Sequence, residues 1–304
     1  MKIGAIDIGT NSMRLLTADF ENGVLKDRRK YVNTTRIGQG VDENGYITEE
    51  AIDRNIKAIK EYRVKCDDYG CERIICMGTS ALRDSKNREE FIKRAKDESG
   101  IDVNVIPGET EAKLGFKGVL NGSTTEGGIL ILDIGGGSTE FIFGDRDGIK
   151  NSVSINIGAL RLTEKFAKTD PVSEENMSEM YEFIEQETKD IVSYLKEQEI
   201  SELWGIGGTI TSMSAINQKL EVYSMEKIHA SKISYDEVSD ILDMLKKMSH
   251  DERVSLNGLQ PKRADIITAG VVILFVVMNQ LLCREINVSE YDNLEGVIYE
   301  TAGK

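Results

Sequence analysis

Histidine is almost missing from this 304-residue chain, which holds only His229 and His250. That argues against catalysis or metal binding built on imidazole. Cysteine is scarce as well. Cys66, Cys71, Cys76 and Cys283 do not follow a zinc spacing and have no histidine nearby, so they read as reduced thiols of an intracellular protein. Basic residues are outnumbered, 38 Lys and Arg against 52 Asp and Glu, for a formal net charge of -14. This argues against general nucleic-acid binding, which needs a basic face. The acid excess serves solubility, and a polyanionic ligand would need a locally basic or metal-screened cleft. No signal segment precedes Lys2, so a cytoplasmic location is expected. The most apolar run, Ala264–Leu282, has Asp265 and Arg284 at its ends and is interrupted by Thr268, Asn279 and Gln280. It reads as a buried helix and not as a membrane span.

Glycine is not scarce, and it is concentrated where it matters. Gly127–Asp145 reads GGILILDIGGGSTEFIFGD: an apolar strand, Asp133, three glycines (Gly135, Gly136, Gly137), Ser138, Thr139, Glu140 and a second apolar strand. Without Cβ atoms, successive backbone N–H groups can line one concavity and hold an anion. Ser138 and Thr139 add hydroxyls. Asp133 and Glu140 add hard oxygen ligands suited to Mg²⁺. A single such turn could equally be a hairpin with no ligand. The chain repeats it, however. Asp7, Ile8, Gly9 and Ser12 match Asp133, Ile134, Gly135 and Ser138 in order and spacing. A duplicated strand–turn–strand implies two related halves, each bringing a phosphate-facing hairpin to one cleft. It is no P-loop, since no Gly-Lys-Ser/Thr follows, and no dinucleotide fingerprint, since no helix follows the turn.

The paired turns resemble those of the actin, Hsp70 and sugar-kinase superfamily. More closely, the chain resembles the exopolyphosphatase / guanosine pentaphosphate phosphatase family. The segments that carry this are DIGTNSMRLL (Asp7–Leu16), TSALRDSKN (Thr79–Asn87), PGETEAKLGFKGV (Pro107–Val119), LDIGGGSTE (Leu132–Glu140), GIGGT (Gly205–Thr209) and GLQPKRADIITAG (Gly258–Gly270). They run in the family's order over nearly the whole chain. The resemblance implies an α/β fold of two actin-like, ribonuclease H-like domains. Each would have a mixed five-stranded sheet, with the active-site cleft between them. The domains are expected at residues 1–124 and 125–304. The polar segment Asn121–Thr125 would be the junction, and the terminal helix, from about residue 292, would pack back on the first domain.

The resemblance also assigns residues. Glu111, immediately before Ala112-Lys113, matches the family's general base; from sequence physics alone it is one more acidic residue complementing a helix N-terminus. Arg83 matches a phosphate-binding arginine, although by itself an arginine in the polar Gly78–Asn87 loop is more often a solvated cation. Arg161 matches a position near the phosphate channel. Gly207, Gly208 and Thr209 would face phosphate, a guanosine moiety or nothing; the glycines there would also serve helix packing. With them, Asn11, Ser12, Gly135, Gly136, Gly137 and Ser138 form the expected phosphate-binding set. Asp7, Asp133 and Glu140 are the expected Mg²⁺ ligands, direct or through water. Arg14 reads as a further cation or a surface strand residue.

The expected activity is Mg²⁺-dependent release of terminal orthophosphate from polyphosphate. Guanosine pentaphosphate is the alternative substrate, and a homodimer is expected by family analogy. The extra C-terminal domain of longer relatives is missing, which implies a preference for short polymers. Two rivals remain: a superfamily kinase, which would need ATP and an acceptor, and a regulatory or filament-forming nucleotide-binding protein.

Overall fold

The computed structural model describes residues 1–124 and 126–302; Thr125, at the end of the expected junction, and residues 303–304, at the end of the expected terminal helix, lie outside the described residues. The chain divides into two compact units. One comprises Met1–Gly118 with the chain from Asp292 onward, the other Val119–Tyr291.

In the first unit, β1 (Lys2–Ile8), β2 (Met13–Glu21) and β3 (Val24–Asn33) form an antiparallel meander. Next come α1 (Val41–Asn44), α2 (Glu49–Tyr69), β4 (Arg73–Gly78), α3 (Ser80–Asp84), α4 (Arg88–Ser99), β5 (Val103–Val105) and α5 (Gly108–Gly122). The five strands lie in the order β3-β2-β1-β4-β5, with β4 and β5 parallel to the central β1. Six of the seven residues of β1 are buried, as a central strand covered on both faces requires. Helix α2 starts where Thr48 accepts the Ala51 N–H at 3.2 Å, and Glu49 and Glu50 in its first turn complement the dipole. Its Ile52, Ile56, Ile59 and Tyr62, three or four residues apart, form the buried face.

The loop expected over Gly78–Asn87 is not a loop throughout. Ala81 and Leu82 are buried in the cluster with Ile6 and Ile8, and this anchors the short helix α3. Arg83 therefore sits on a helix.

The final helix of the chain, Asn293–Ala302, belongs to this unit. Its Leu294, Val297 and Ile298 bury against Ile3, Ala5, Leu16 and Leu114. At ordinary apolar burial, three such side chains contribute roughly 5–9 kcal/mol before entropy costs.

The second unit is built from β6 (Ile129–Ile134), β7 (Thr139–Asp145), β8 (Gly148–Ile155), α6 (Ala159–Phe166), α7 (Glu174–Lys196), β9 (Glu202–Ile206), α8 (Gly207–Asn217), α9 (Met225–Ile228), β10 (Lys232–Ser234), α10 (Tyr235–Leu245), α11 (His250–Val254), α12 (Ile267–Leu281) and β11 (Glu285–Val288), after which the final helix is α13. Its sheet has six strands, ordered β10-β11-β9-β6-β7-β8, where five were expected. The additional edge strand β10 has only three residues, paired antiparallel with β11, and offers no alternation to read.

The acidic helix α7 is capped by Ser173, which accepts the Asn176 N–H at 3.2 Å, and buries Met177, Met180, Ile184, Ile191 and Leu195 on one face. The apolar run becomes α12, buried along most of its length against α7 and α10. Among the described residues no helix is long and apolar enough to cross a membrane.

Candidate functional site

The two glycine turns share one construction. Gly9 N–H donates to the Ser12 carbonyl at 3.1 Å, and Gly135 N–H to the Ser138 carbonyl at 3.0 Å. The turn carbonyls are tied back. In the first, Arg36 N–H donates to Asn11 O at 2.9 Å and Gly38 N–H to Thr10 O at 3.0 Å. In the second, the opening N–H groups of α6 take that part: Ala159 donates to Gly135 O and Leu160 to Gly136 O, both at 2.9 Å, and Arg161 to Gly136 O at 3.1 Å. The Arg161 side chain adds a bond from Nε to Gly137 O at 2.7 Å, so it braces the turn. The backbone N–H groups of Thr10, Asn11 and Ser12, and of Gly136, Gly137 and Ser138, donate to no acceptor among the described residues. Three successive N–H groups without protein acceptors, on a turn whose carbonyls are held elsewhere, suit an anion.

Strand register equates the residues around the turns. Asp7 stands opposite Arg14 across β1 and β2, and Asp133 stands opposite Glu140 across β6 and β7. The same position is thus a cation in one unit and a carboxylate in the other. Arg14 Nε and Nη2 donate to Asp7 Oδ2 at 3.1 and 2.5 Å, and Nη1 to Asp292 Oδ2 at 2.7 Å. Asp7 Oδ1 is buried with no protein partner among the described residues. Burial pushes the Asp7 carboxyl above its usual range and Asp292 adds to this, while Arg14 opposes it. For Asp292 burial also pushes upward, but Arg14 and Lys30 outweigh it and hold the group well below the usual range.

Asp133 and Glu140 are both buried, at 8% and 2% exposure, and face one another on neighbouring strands. Like charges directly opposite in a sheet repel, and burial sharpens the penalty. Glu140 Oε1 accepts a hydrogen bond from Ser154 Oγ at 2.7 Å. Two buried carboxylates so placed could hold a divalent cation. No group of three or more Asp, Glu, His or Cys side chains among the described residues forms a metal-ligating cluster. Mg²⁺ does not need one, because it keeps several waters and uses one or two carboxylates plus substrate phosphate.

Glu111, in the first turn of α5, is 7% exposed and accepts from Arg83 Nη1 at 3.1 Å; the same nitrogen donates to Ile106 O at 3.2 Å. The structure therefore brings the expected base and the expected phosphate-binding arginine into one ion pair. Thr79 N–H donates to Ile8 O at 3.2 Å, so α3 starts beside the first glycine turn. Asn11 Nδ2 donates to Ser12 Oγ at 3.1 Å, and both side chains are buried in that turn.

In the second unit, Gly207 opens α8 at φ +85°, and a Cβ there would lie 2.6 Å from Asp133 Oδ1. A Cβ on Gly208 would overlap the Arg263 guanidinium. Thr209 is buried against Gly270 of α12. Close packing thus accounts for both glycines. It also reveals Arg263, which sequence reasoning did not select although it lies in the quoted GLQPKRADIITAG segment. An arginine at the positive end of a helix is an arrangement that an anionic group would stabilise. Ser154 and Asp292 were likewise missed, because each acts on its partner across strands or across the length of the chain.

The model of the Ppx/GppA phosphatase family matches residues 18–304. The bifunctional 3-dehydroquinate synthase/phosphatase of Fusobacterium nucleatum is 39% identical over 97% of this chain, which spans 46% of that longer protein. Exopolyphosphatase 2 of Mycobacterium tuberculosis is 32% identical, with 99% of each chain covered. The crystal structure of an exopolyphosphatase from Cytophaga hutchinsonii is 31% identical and superposes with a TM-score of 0.91 over 100% of this chain and 98% of its own. With the duplicated turns, the Arg83–Glu111 pair and a family match over most of its length, this chain belongs to the Ppx/GppA phosphatase family.

Proposed function

We propose that this protein hydrolyses the terminal phosphoanhydride of inorganic polyphosphate and releases orthophosphate, with Mg²⁺ as cofactor. The observation that carries the reading is the duplicated turn whose carbonyls are tied back while its N–H groups have no acceptor among the described residues. Phosphoryl transfer is mostly positioning and charge neutralisation, and such turns supply both. The N–H groups of both turns, with the hydroxyls of Ser12 and Ser138, hold phosphoryl oxygens. Asp133 and Glu140 would hold Mg²⁺, directly or through water, and Asp7 is the matching carboxylate of the first unit's turn. Mg²⁺, when bound, neutralises charge on the transferring phosphoryl group.

Glu111 takes the proton from the attacking water, and Arg83 holds that carboxylate in place through its bond to Oε2. Family membership favours water as the acceptor over a sugar or carboxylate. Glu111→Gln is expected to lower kcat on polyphosphate by about 10²–10⁴-fold, with KM kept within a few-fold. Unchanged turnover would remove Glu111 from the mechanism. Guanosine pentaphosphate offers the same kind of terminal phosphate, and a side-by-side rate comparison decides between the two substrates.

A further inference from the structure

We infer that Asp292, at the entrance to α13, is a positioning residue for Asp7 and acts through Arg14. The inference rests on the assignment of Asp7 to the phosphate and Mg²⁺ chemistry proposed above.

The contacts form a single line. Arg14 places Nε and Nη2 on Asp7 Oδ2 and Nη1 on Asp292 Oδ2, so one planar guanidinium is shared by two carboxylates. A guanidinium held at one end only can swing about its long stem; held at both ends, it fixes the carboxylate it touches. Asp292 is itself locked. Its Oδ1 accepts the Leu294 N–H at 2.9 Å, and its own N–H donates to Glu295 Oε2 at 3.0 Å. Lys30 Nζ lies 3.3 Å from Asp292 Oδ2 and 3.1 Å from Glu295 Oε1. Arg28 Nη2 holds the same Oε1 of the fully buried Glu295 at 2.5 Å. Three cations and three carboxylates therefore alternate from β3 and α13 to the end of β1.

Internal comparison gives the network its meaning. In the second unit the residue opposite the turn aspartate is Glu140, and nothing cationic is placed there by the strand register. In the first unit the equivalent residue is Arg14, which alone would neutralise Asp7 as a simple pair. Asp292 divides the guanidinium's charge and pulls it toward α13, which leaves Asp7 Oδ1, the oxygen Arg14 does not touch, buried and unpartnered beside the turn. A residue 278 positions downstream of Arg14 thus sets the orientation of the first turn's carboxylate.

Asp292→Asn tests this, because an asparagine oxygen can still accept the Leu294 N–H at the start of α13, while the negative charge facing Arg14 and Lys30 is lost; the Arg14→Lys background separates the Arg14 part from the Lys30 part. Phosphate release from polyphosphate is measured for wild type, Asp292→Asn, Arg14→Lys, the double variant and Asp7→Asn. Mn²⁺ binding is read in parallel from the EPR signal of the free ion. Residues that orient a ligating group typically act at the 10–100-fold level. Asp292→Asn is therefore expected to lower kcat at least tenfold with KM within a few-fold, and to raise the half-saturating Mn²⁺ concentration. In the Arg14→Lys background it adds little further loss. Wild-type kcat and wild-type Mn²⁺ binding in Asp292→Asn, while Asp7→Asn is impaired, overturn the inference alone. A fully multiplicative loss in the double variant also overturns it, since Asp292 would then act independently of Arg14. Asp7→Asn turning over at the wild-type rate overturns the assignment of Asp7 and the inference with it.

Discussion

Replacing Gly207 by alanine separates what the second unit's site needs from what its fold needs. Two effects add at this position. The first is conformational: φ is +85°, and an L-residue there costs about 1–2 kcal/mol. The second is local: the new Cβ would sit 2.6 Å from Asp133 Oδ1, where ordinary contact begins at 3.4 Å, so the carboxylate must retreat by roughly 0.8 Å. A misplacement of about 1 Å in a catalytic constellation can cost about 10²-fold in rate. Gly23, in the β2–β3 hairpin turn, is the control. Its φ is +81° and a Cβ there meets nothing within 4 Å. Gly207→Ala should lose at least as much stability as Gly23→Ala, with a melting temperature lower by about 2–4 °C per kcal/mol. Only Gly207→Ala should lose turnover, by about 10–100-fold in phosphate release from polyphosphate. Equal turnover in the two variants would refute the role given to Asp133.

Gly296→Ala should be the more damaging substitution for the fold. A Cβ there would overlap the Leu114 carbonyl of α5, so α13 must lift from its seat; overpacking of this kind costs about 1–3 kcal/mol, read by denaturant unfolding. Asp170 gives a pH test. Burial works against its charged form, but the His250 N–H at 2.7 Å and Arg253 Nη2 at 2.8 Å outweigh it and hold the carboxyl below its usual range. A carboxylate depressed in the folded state stabilises above its unfolded pKa, about 3.9, and loses that contribution as pH falls through its folded value. Asp170→Asn should therefore lower stability at pH 7, by no more than about 1 kcal/mol for a half-exposed group, and the difference from wild type should shrink as pH falls below the unfolded carboxylate range. A difference that stays constant down to pH 2 would contradict this.

The turns were legible because their signal is local and repeated. Asp7 to Ser12 and Asp133 to Ser138 lie within six residues each, and glycine there has a backbone reason. The long elements were legible for the same kind of reason, as the spacing of Ile52, Ile56 and Ile59 in α2 illustrates. What could not be read depends on partners distant in sequence. That Arg14 and Glu140 are equivalent positions follows only from the strand register. The Arg14–Asp292 bond joins opposite ends of the chain, and Arg263 is placed against Gly208 by tertiary packing alone. Helix α3 and strand β10 are too short to carry a period, so burial of Leu82 and pairing with β11 decide them. Glu111 is the reverse case. Its proposed role as the base came from family resemblance, and the structure adds a physical neighbour in Arg83 that spacing did not suggest.

The most direct measurement is orthophosphate release from polyphosphate and from guanosine pentaphosphate, side by side, with Mg²⁺ and with a chelator in excess. Mg²⁺-dependent release, one phosphate at a time and faster from polyphosphate, is the predicted result. Absence of release from both substrates, with ATP bound and turned over only when an acceptor is supplied, would contradict hydrolysis and return the paired turns to a kinase.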